Sequence, residues 1–147
     1  MLRPLKILAV GNSWTNNATA YLGNILDSLG VNVEINVSYA GSASFNSYYN
    51  SIVNNTNPYT HRKWTKDTNW VSIENCTYKQ ILEADDYDII THQQVSGHSG
   101  NYSSFQPYLN NIINYEKDLL NIIPIYYMHA TWAYPNGYVN SNFEELY

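Results

Sequence analysis

Apolar and polar positions alternate along the chain with two different periods, and the changes between them mark the predicted elements. Residues 6–10 form a short apolar run that stops at a glycine, as a buried strand does. From Ala18 to Leu29 the apolar residues recur three and four positions apart, which predicts a helix ended by Gly30. Residues 31–37 alternate strictly between apolar and polar, which predicts a second strand. This order indicates a parallel pair of strands joined by a helical crossover.

The rest of the chain continues the alternation of helices and strands. Residues 54–69 are predicted to be irregular, with a small hairpin built on Trp64 and Trp70 as one possibility. Short apolar runs and helical spacing indicate the remaining elements. The predicted helices are Phe45–Val53, Thr77–Ala84 and Pro107–Leu120, the predicted strands are Tyr87–His92 and Ile122–Ala130, and a last helix opens at Asn142 after a Pro-Asn-Gly turn.

Four strands separated by helices predict a single α/β domain of three layers, in which helices cover both faces of a parallel sheet. We predict the strand order 2-1-3-4 for this sheet. Ligands bind such sheets beyond the carboxyl ends of the strands, where the strand order reverses. Ser13, Gly41 and the pair Gln93 and Gln94 each follow a predicted strand end, so this order brings them next to one another.

Composition argues against several classes of partner. The chain has 147 residues, a net charge of −5 and only 13% charged residues, so a nucleic-acid partner is not expected. The single cysteine, Cys76, cannot form an intrachain disulfide. No apolar stretch reaches the length of a membrane span, and no signal peptide precedes the first strand. We therefore expect a cytoplasmic protein without a membrane partner, or a secreted or periplasmic one if a leader was removed.

No metal or cofactor site is predicted. Asp85, Asp86 and Asp88 are close in sequence, but such residues commonly form the solvated entrance to a strand. An open α/β sheet also raises nucleotide binding as a hypothesis. This hypothesis ranks last, because the chain lacks the glycine-rich phosphate loop of nucleotide-binding proteins.

The residues at the strand ends suit acyl transfer. A serine hydroxyl attacks an ester only when a base takes its proton, and the attack creates an oxyanion that needs preplaced donors. Ser13 in a strand-to-helix turn offers its hydroxyl and its own N–H, and Gly41 lets a second backbone N–H approach closely. The side-chain amide of Gln94 or Gln93 completes this set of donors. A tight turn that caps the following helix is the alternative explanation of Gly11-Asn12-Ser13.

Four segments of the chain resemble the sequence blocks of the SGNH (GDSL-type) hydrolase superfamily and follow one another in the same order as those blocks. The resemblance is greatest to a bacterial branch common in gut Bacteroidetes. Asn12 stands where the wider superfamily has aspartate, and the glutamine pair stands in the region of its asparagine. The segments are ILAVGNSWTNNATAYL, YAGSAS, YDIITHQQVSGHS followed by FQPYLNNII, and MHATWAY.

The resemblance implies a flavodoxin-like fold and ester hydrolysis, including the removal of acetyl groups from carbohydrate. It implies that Ser13 is the nucleophile. It also implies that the N–H groups of Ser13 and Gly41, with the amide of Gln94 (or Gln93), form the oxyanion hole. The implied substrate is a small ester or an acetylated carbohydrate, and no cofactor is needed.

The chain departs from the superfamily at the catalytic base. The superfamily carries its base in a late Asp-x-x-His block, and neither this block nor the expected fifth strand and final helix is found in the 147 residues. His92 and His129 lie in predicted strands and are expected to be structural. His98 follows the glutamine pair and is only a candidate for lining the site, whereas His61 is expected at the surface.

Two interpretations therefore remain open. In the first, residues 1–147 form one SGNH-like domain that is incomplete at its carboxyl end and is an esterase if a base is supplied. In the second, the domain is inactive and serves as a binding or structural component of a larger assembly. A shortened sheet leaves an open edge, which a partner chain would complete.

Overall fold

The computed structural model describes residues 3–131, which form one six-stranded mixed sheet with helices on both faces. Two 3₁₀ helices, Ser96–His98 and Tyr102–Ser104, lie in the loop before the last helix. The strands are β1 (Leu5–Gly11), β2 (Val33–Tyr39), β3 (Tyr59–Thr65), β4 (Asn69–Cys76), β5 (Ile89–His92) and β6 (Ile125–Met128). The helices are α1 (Ser13–Thr19), α2 (Leu22–Ser28), α3 (Phe45–Val53), α4 (Tyr78–Leu82) and α5 (Tyr108–Leu119).

The strands lie in the order β4-β3-β2-β1-β5-β6. The neighbours β2, β1, β5 and β6 are parallel, so the order 2-1-3-4 is confirmed for the four predicted strands. The prediction of a wholly parallel sheet is wrong at one edge, because β3 and β4 are antiparallel and extend the sheet beyond β2. The predicted α/β fold with helices on both faces is confirmed.

The antiparallel extension is a hairpin in a region that the sequence predicted to be largely irregular. Trp64 of β3 pairs with Trp70 of β4, and the hydroxyls of Thr65 and Thr68 lie 2.8 Å apart across the turn. The Trp64 side chain is 2% exposed and packs so closely on Gly23 that an added Cβ would lie 2.3 Å from its ring. Burial of this indole against a distant helix stabilises the hairpin, and the local sequence pattern contains little sign of that contact.

The first predicted helix is divided into two short helices. α1 begins at Ser13, earlier than predicted, because the Asn12 side chain caps it by accepting a hydrogen bond from the Trp14 N–H at 3.2 Å. The helix ends near Ala20, whose carbonyl oxygen accepts the indole N–H of Trp70 at 3.1 Å. The other three predicted helices are confirmed to within two residues at each end.

Two clusters of buried side chains lie on the two faces of the sheet. Tyrosines contribute much of the larger cluster, and their hydroxyls need partners once they are buried. The Tyr48 hydroxyl, for example, lies 2.6 Å from the carbonyl oxygen of Ser38 and 3.0 Å from that of Gly11, so it joins the ends of β1 and β2. The cluster beneath α1 and α2 comprises Ala9, Val33, Ile35, Val37 and Trp64, and the one beneath α3, α4 and α5 includes Leu8, Val10, Phe45, Tyr48, Tyr59, Tyr78, Ile81, Leu82, Tyr87, Ile90 and Ile112.

Charged side chains pair at the amino ends of the parallel strands. The Asp85 carboxylate is only 11% exposed; it contacts the Lys6 ammonium and lies 3.0 Å from that of Lys63. The prediction that Asp85 belongs to a solvated entrance to the strand is therefore wrong. Burial raises the pKa of Asp85, but the hydrogen bonds and charges of Lys6 and Lys63 outweigh burial and hold this pKa below its usual value.

We expect Asp85→Asn to lower the free energy of unfolding at pH 7 by about 1.5–3 kcal/mol, because charge-assisted hydrogen bonds are lost. The folded pKa is lowered, so this stabilisation is present above the unfolded pKa and disappears as the pH falls through the folded pKa. Urea denaturation of both proteins should therefore show a difference that shrinks below about pH 4. Asp86→Asn, at an exposed neighbouring carboxylate, is the control. An equal effect of the two substitutions would contradict the ion-pair explanation.

Candidate functional site

Three loops follow β1, β2 and β5 at the same end of the sheet. We refer to residues 11–13, 40–44 and 93–104 as the first, second and third loops. β1 lies between β2 and β5, so the first loop is central and contacts both of the others. The side-chain amide of Asn12, which is 1% exposed, donates to the carbonyl oxygen of Ala43 at 3.3 Å and joins the first loop to the second. The loops that the sequence predicted to be neighbours are therefore in contact.

Gln93 joins the third loop to the first. Its side-chain oxygen accepts hydrogen bonds from the backbone N–H of Asn12 at 3.3 Å and from the Thr15 hydroxyl at 3.1 Å. Its amide nitrogen donates to the carbonyl oxygen of Gln94. Because a backbone N–H can only donate, the contact with Asn12 fixes which end of the Gln93 amide is the oxygen.

Gln94 joins the third loop to the second. Its side-chain oxygen accepts the N–H of Phe45, the first residue of α3, and the N–H of Val95, each at 3.0 Å. Its amide nitrogen lies 3.1 Å from both the carbonyl oxygen and the hydroxyl oxygen of Ser104. Gln93 and Gln94 are 1% and 2% exposed, so their side-chain amides are buried and hydrogen-bond one loop to another.

Ser13 and Gly41 differ from the glutamines because both are exposed. Ser13 is the first residue of α1 and directly follows the buried Asn12, so the turn presents its side chain at the surface of the loop junction. A Cβ added at Gly41 would meet nothing closer than the Tyr39 hydroxyl, at 3.4 Å. Packing therefore does not require glycine at position 41, and open space remains above its backbone.

Gly11, in contrast, is required by packing. A Cβ at this position would lie 2.1 Å from the Thr15 hydroxyl oxygen and 2.8 Å from the side-chain oxygen of Gln93. The backbone of Gly11 also takes part in the junction, since its carbonyl oxygen accepts the N–H of Ala40 at 3.1 Å. The absence of a side chain at Gly11 is what allows Gln93 to reach the first loop.

His61 is buried, contrary to the expectation of a surface residue. The β3 strand pairs with β2, so the His61 ring faces inward and its Nε2 lies 2.9 Å from the side-chain oxygen of Asn36. Burial lowers the pKa of His61. The expectation failed because the inward face exists only once β3 pairs with β2.

The other histidines are distributed around the third loop. His92 is buried with its Nε2 2.8 Å from the Glu116 carboxylate, as expected of a structural histidine. His98, a candidate for lining the site, is exposed at the end of a 3₁₀ helix. His129 lies just past β6 and lines a cavity together with Gln94, and burial lowers its pKa. The structure thus brings His129, rather than His98, beside a predicted site residue.

A buried carboxylate behind the third loop was missed by the sequence analysis. Glu116 of α5 is fully buried and accepts hydrogen bonds from the Tyr78 hydroxyl and from His92, whose ring nitrogen is 2.8 Å away. Burial and the Glu116 carboxylate raise the pKa of Tyr126 on β6. The helical spacing alone indicates that Glu116 is buried. It lies four positions after the buried Ile112 and so falls on the inner face of α5.

Within residues 3–131, no group of three or more His, Cys, Asp or Glu side chains is placed to hold a metal ion. The same residues include no helix that is both long and apolar enough to cross a membrane. The last three residues of the MHATWAY segment, the Pro-Asn-Gly turn and the predicted helix from Asn142 lie outside the described residues.

We expect Gly11→Ala to destabilise the fold by about 1–3 kcal/mol, because the new methyl group overlaps Thr15 and Gln93 in a packed junction. Gly41→Ala is the matched control, since its methyl group would meet only the Tyr39 hydroxyl at an ordinary contact distance of 3.4 Å, and its effect should stay within about 0.5 kcal/mol. Urea denaturation of the two variants checks this difference. Equal stabilities for the two variants would show that the first loop is not packed as described.

The similarity of this chain to other proteins agrees with its fold. No curated protein matches it. A crystal structure at 1.50 Å resolution of a DUF4886 family protein from Bacteroides uniformis ATCC 8492 has a TM-score of 0.85 and 30% sequence identity to this chain. That match covers 92% of this chain and 53% of the other, so this chain spans about half of its relative's length. The description of this structure names no reaction, so the resemblance to SGNH hydrolases stays a prediction. Residues 6–146 match the family described as a domain of unknown function, DUF4886, and the chain therefore belongs to the DUF4886 family.

Proposed function

We propose that this chain contains the nucleophile and the oxyanion-binding loops of an SGNH-type serine esterase that acts on small esters or acetylated carbohydrates. The observation that supports the proposal is the junction of the three loops. There the buried polar side chains of Asn12, Gln93 and Gln94 hold the loops together, and the exposed Ser13 directly follows Asn12.

In the proposed reaction the Ser13 hydroxyl oxygen attacks the ester carbonyl carbon while a base takes the hydroxyl proton. The N–H groups of Ser13 and Gly41 stabilise the oxyanion that forms. The bond to the alcohol then breaks, the alcohol leaves with the proton from the base, and water releases the acyl group from Ser13 by the same steps. Each step conserves charge and needs no metal or redox partner.

The proposal gives Gln93 and Gln94 a positioning role instead of the donor role that the resemblance implies. Both amide nitrogens already donate to oxygens of the third loop, as shown by the contacts of Gln94 with Ser104. An amide that holds two loops in place contributes to catalysis through the backbone donors that it orients.

The base is the open part of the proposed site, because the chain has no Asp-x-x-His block. Among the described histidines, His129 shares a cavity with Gln94. Burial lowers the pKa of His129, so its ring is neutral at pH 7 and able to accept a proton. A base supplied from outside residues 3–131, by further polypeptide or by a partner chain, is also consistent with the proposal.

We expect the purified chain to hydrolyse p-nitrophenyl acetate, and Ser13→Ala to lower kcat by about 100-fold or more, because the nucleophile is removed. Ser28→Ala is the matched control, since this exposed serine ends α2 and its hydroxyl donates only to the carbonyl oxygen of Ile25. The release of p-nitrophenol, followed by absorbance, measures all three proteins. Equal rates for the wild type and Ser13→Ala would reject the esterase proposal.

A second candidate function, a non-catalytic component of a larger assembly, is favoured by the edge of the sheet. Within residues 3–131, β6 pairs only with β5, so its other side is an open strand edge. Open edges with apolar side chains commonly pair with another chain. The residues Ile122, Ile123, Ile125, Tyr127 and Met128 on and beside β6 are each between 45% and 60% exposed.

For the chain alone, the strand available to this edge is the β6 of a second copy. Light scattering should then report a mass above that of one chain, and the double variant Ile125→Lys with Tyr127→Lys should return it to one chain, because buried lysines oppose edge pairing. Ile25→Lys, at an equally exposed apolar residue of α2, is the control and should leave the mass unchanged. A wild-type monomer with esterase turnover would reject this candidate.

A further inference from the structure

Arg62 of β3 is a cation without a carboxylate partner on an acidic chain. The net charge of the chain is −5, and Arg62 forms no ion pair within residues 3–131. Lys117 is also without a carboxylate there, but it lies over the ring of Tyr126 at the far edge of the sheet. The other basic residues each pair with a carboxylate, and they are Arg3, Lys6, Lys63, Lys66 and Lys79.

Two contacts hold the guanidinium of Arg62 in place. Its Cζ lies 4.6 Å from the centre of the Trp70 ring, so the cation lies over the indole. One of its terminal nitrogens donates to the side-chain oxygen of Asn16 on α1. A guanidinium has five N–H donors, and the bond to Asn16 uses one of them. The group is therefore fixed in position while its charge and most of its donors stay available to an anion.

The contact with Asn16 places Arg62 near the proposed nucleophile. Val37 pairs with both Ala9 and Arg62 and packs beneath α1 and α2, so Arg62 lies on the face of the sheet that α1 covers. Asn16 follows Ser13 by three positions in α1, and helical residues at this spacing have Cβ atoms about 5–6 Å apart on one side of the helix. Because Arg62 contacts the side-chain oxygen of Asn16, its guanidinium lies within about 11 Å of the Ser13 Cβ.

The charge around Arg62 restricts the kind of anion that it binds. The neighbouring Lys63 contacts Glu34 and Asp85, so it adds no unpaired charge. A single guanidinium matches one negative charge, and a carboxylate has this charge and accepts two parallel N–H donors. A phosphate monoester carries about −1.5 to −2 at pH 7 and would leave part of its charge unmatched. One ring between the ester and the carboxylate suits the distance from Ser13 to the guanidinium.

We infer that Arg62 binds a carboxylate of the substrate, so that the proposed esterase prefers esters with a negative charge about one ring away from the ester bond. The inference rests on the proposed function and adds to it a substrate class and a residue that selects this class. The ester carbonyl oxygen binds the N–H groups of Ser13 and Gly41, and the carboxylate binds Arg62. The two contacts therefore use separate groups of the substrate.

The kinetic test compares kcat/KM for p-acetoxybenzoate, which carries a carboxylate, with kcat/KM for the neutral p-acetoxybenzamide of equal size. We expect the wild type to prefer the anionic ester, and Arg62→Gln to lower this preference about tenfold, because a charge-assisted hydrogen bond is lost. Added salt should also weaken the preference of the wild type. Lys66→Gln is the matched control, since it removes the same charge from an exposed residue of the same hairpin. An equal preference in the wild type and in a folded Arg62→Gln would overturn the inference.

A second variant separates recognition of the anion from attachment of the hairpin to α1. Asn16→Asp has the same shape as the wild type, keeps the contact with Arg62 and neutralises its charge. We expect the preference for p-acetoxybenzoate to fall about tenfold in this variant as well. If Arg62 serves only to hold the hairpin against α1, Asn16→Asp leaves the preference unchanged, and that result rejects the inference even where Arg62→Gln fails to fold.

A binding measurement separates the failure of this inference from the failure of the proposed function. The chain has two arginines, Arg3 and Arg62, so the NMR resonances of their Nε–H groups are assigned with Arg62→Gln. During titration with p-hydroxybenzoate we expect a saturable shift at Arg62 and none at Arg3, which already pairs with Asp88. The neutral p-hydroxybenzamide should shift neither resonance.

This shift is expected whether or not any ester is hydrolysed. No saturable shift at Arg62, or equal shifts at Arg3 and Arg62, would reject the carboxylate site even if Ser13 proves catalytic. Equal esterase rates of the wild type and Ser13→Ala reject the proposed function instead, and the titration still decides whether Arg62 binds a carboxylate.

Discussion

Two buried side-chain amides hold the ends of three strands together, and the candidate site depends on them. Gln93 binds the first loop and α1, and Gln94 binds the start of α3, so one dipeptide at the end of β5 is joined to the segments that follow β1 and β2 through three accepted hydrogen bonds. Each amide oxygen uses both of its lone pairs, and each amide nitrogen has a partner. Because buried polar groups are unfavourable unless they are paired, this arrangement specifies one geometry of the loops.

The same requirement explains why other polar residues lie in the interior. One carboxyl oxygen of the fully buried Glu116 accepts from Tyr78 of α4 and from His92 of β5, and the Asp85 carboxylate contacts two lysines. Isolated buried charges are costly, whereas charges with several partners are tolerated. The low charge content of the chain is therefore compatible with a few strongly engaged charges, placed at the two ends of β5.

Apolar side chains are exposed at both edges of the described sheet, such as Ile73 of β4 and Ile125 of β6. At one edge the β3–β4 hairpin covers β2, and its tryptophans pack on α1 and α2 through contacts such as that of Trp64 with Gly23. At the other edge, within the described part of the chain, β6 leaves apolar side chains such as Ile125 in solvent. The longer DUF4886 relative from Bacteroides uniformis shares this part of the fold.

The sequence by itself determined the elements whose signals are local, such as α3, α5 and the strictly alternating β2. It also determined that Ser13, Gly41 and the glutamines lie at strand ends, because helical crossovers between strands force a parallel order. Only the tertiary structure decided that the glutamine amides hydrogen-bond one loop to another, that His61 faces inward and that His129 lines a cavity. These outcomes depend on contacts between distant residues, such as that of Phe45 with Gln94 across 49 positions, which no local pattern encodes.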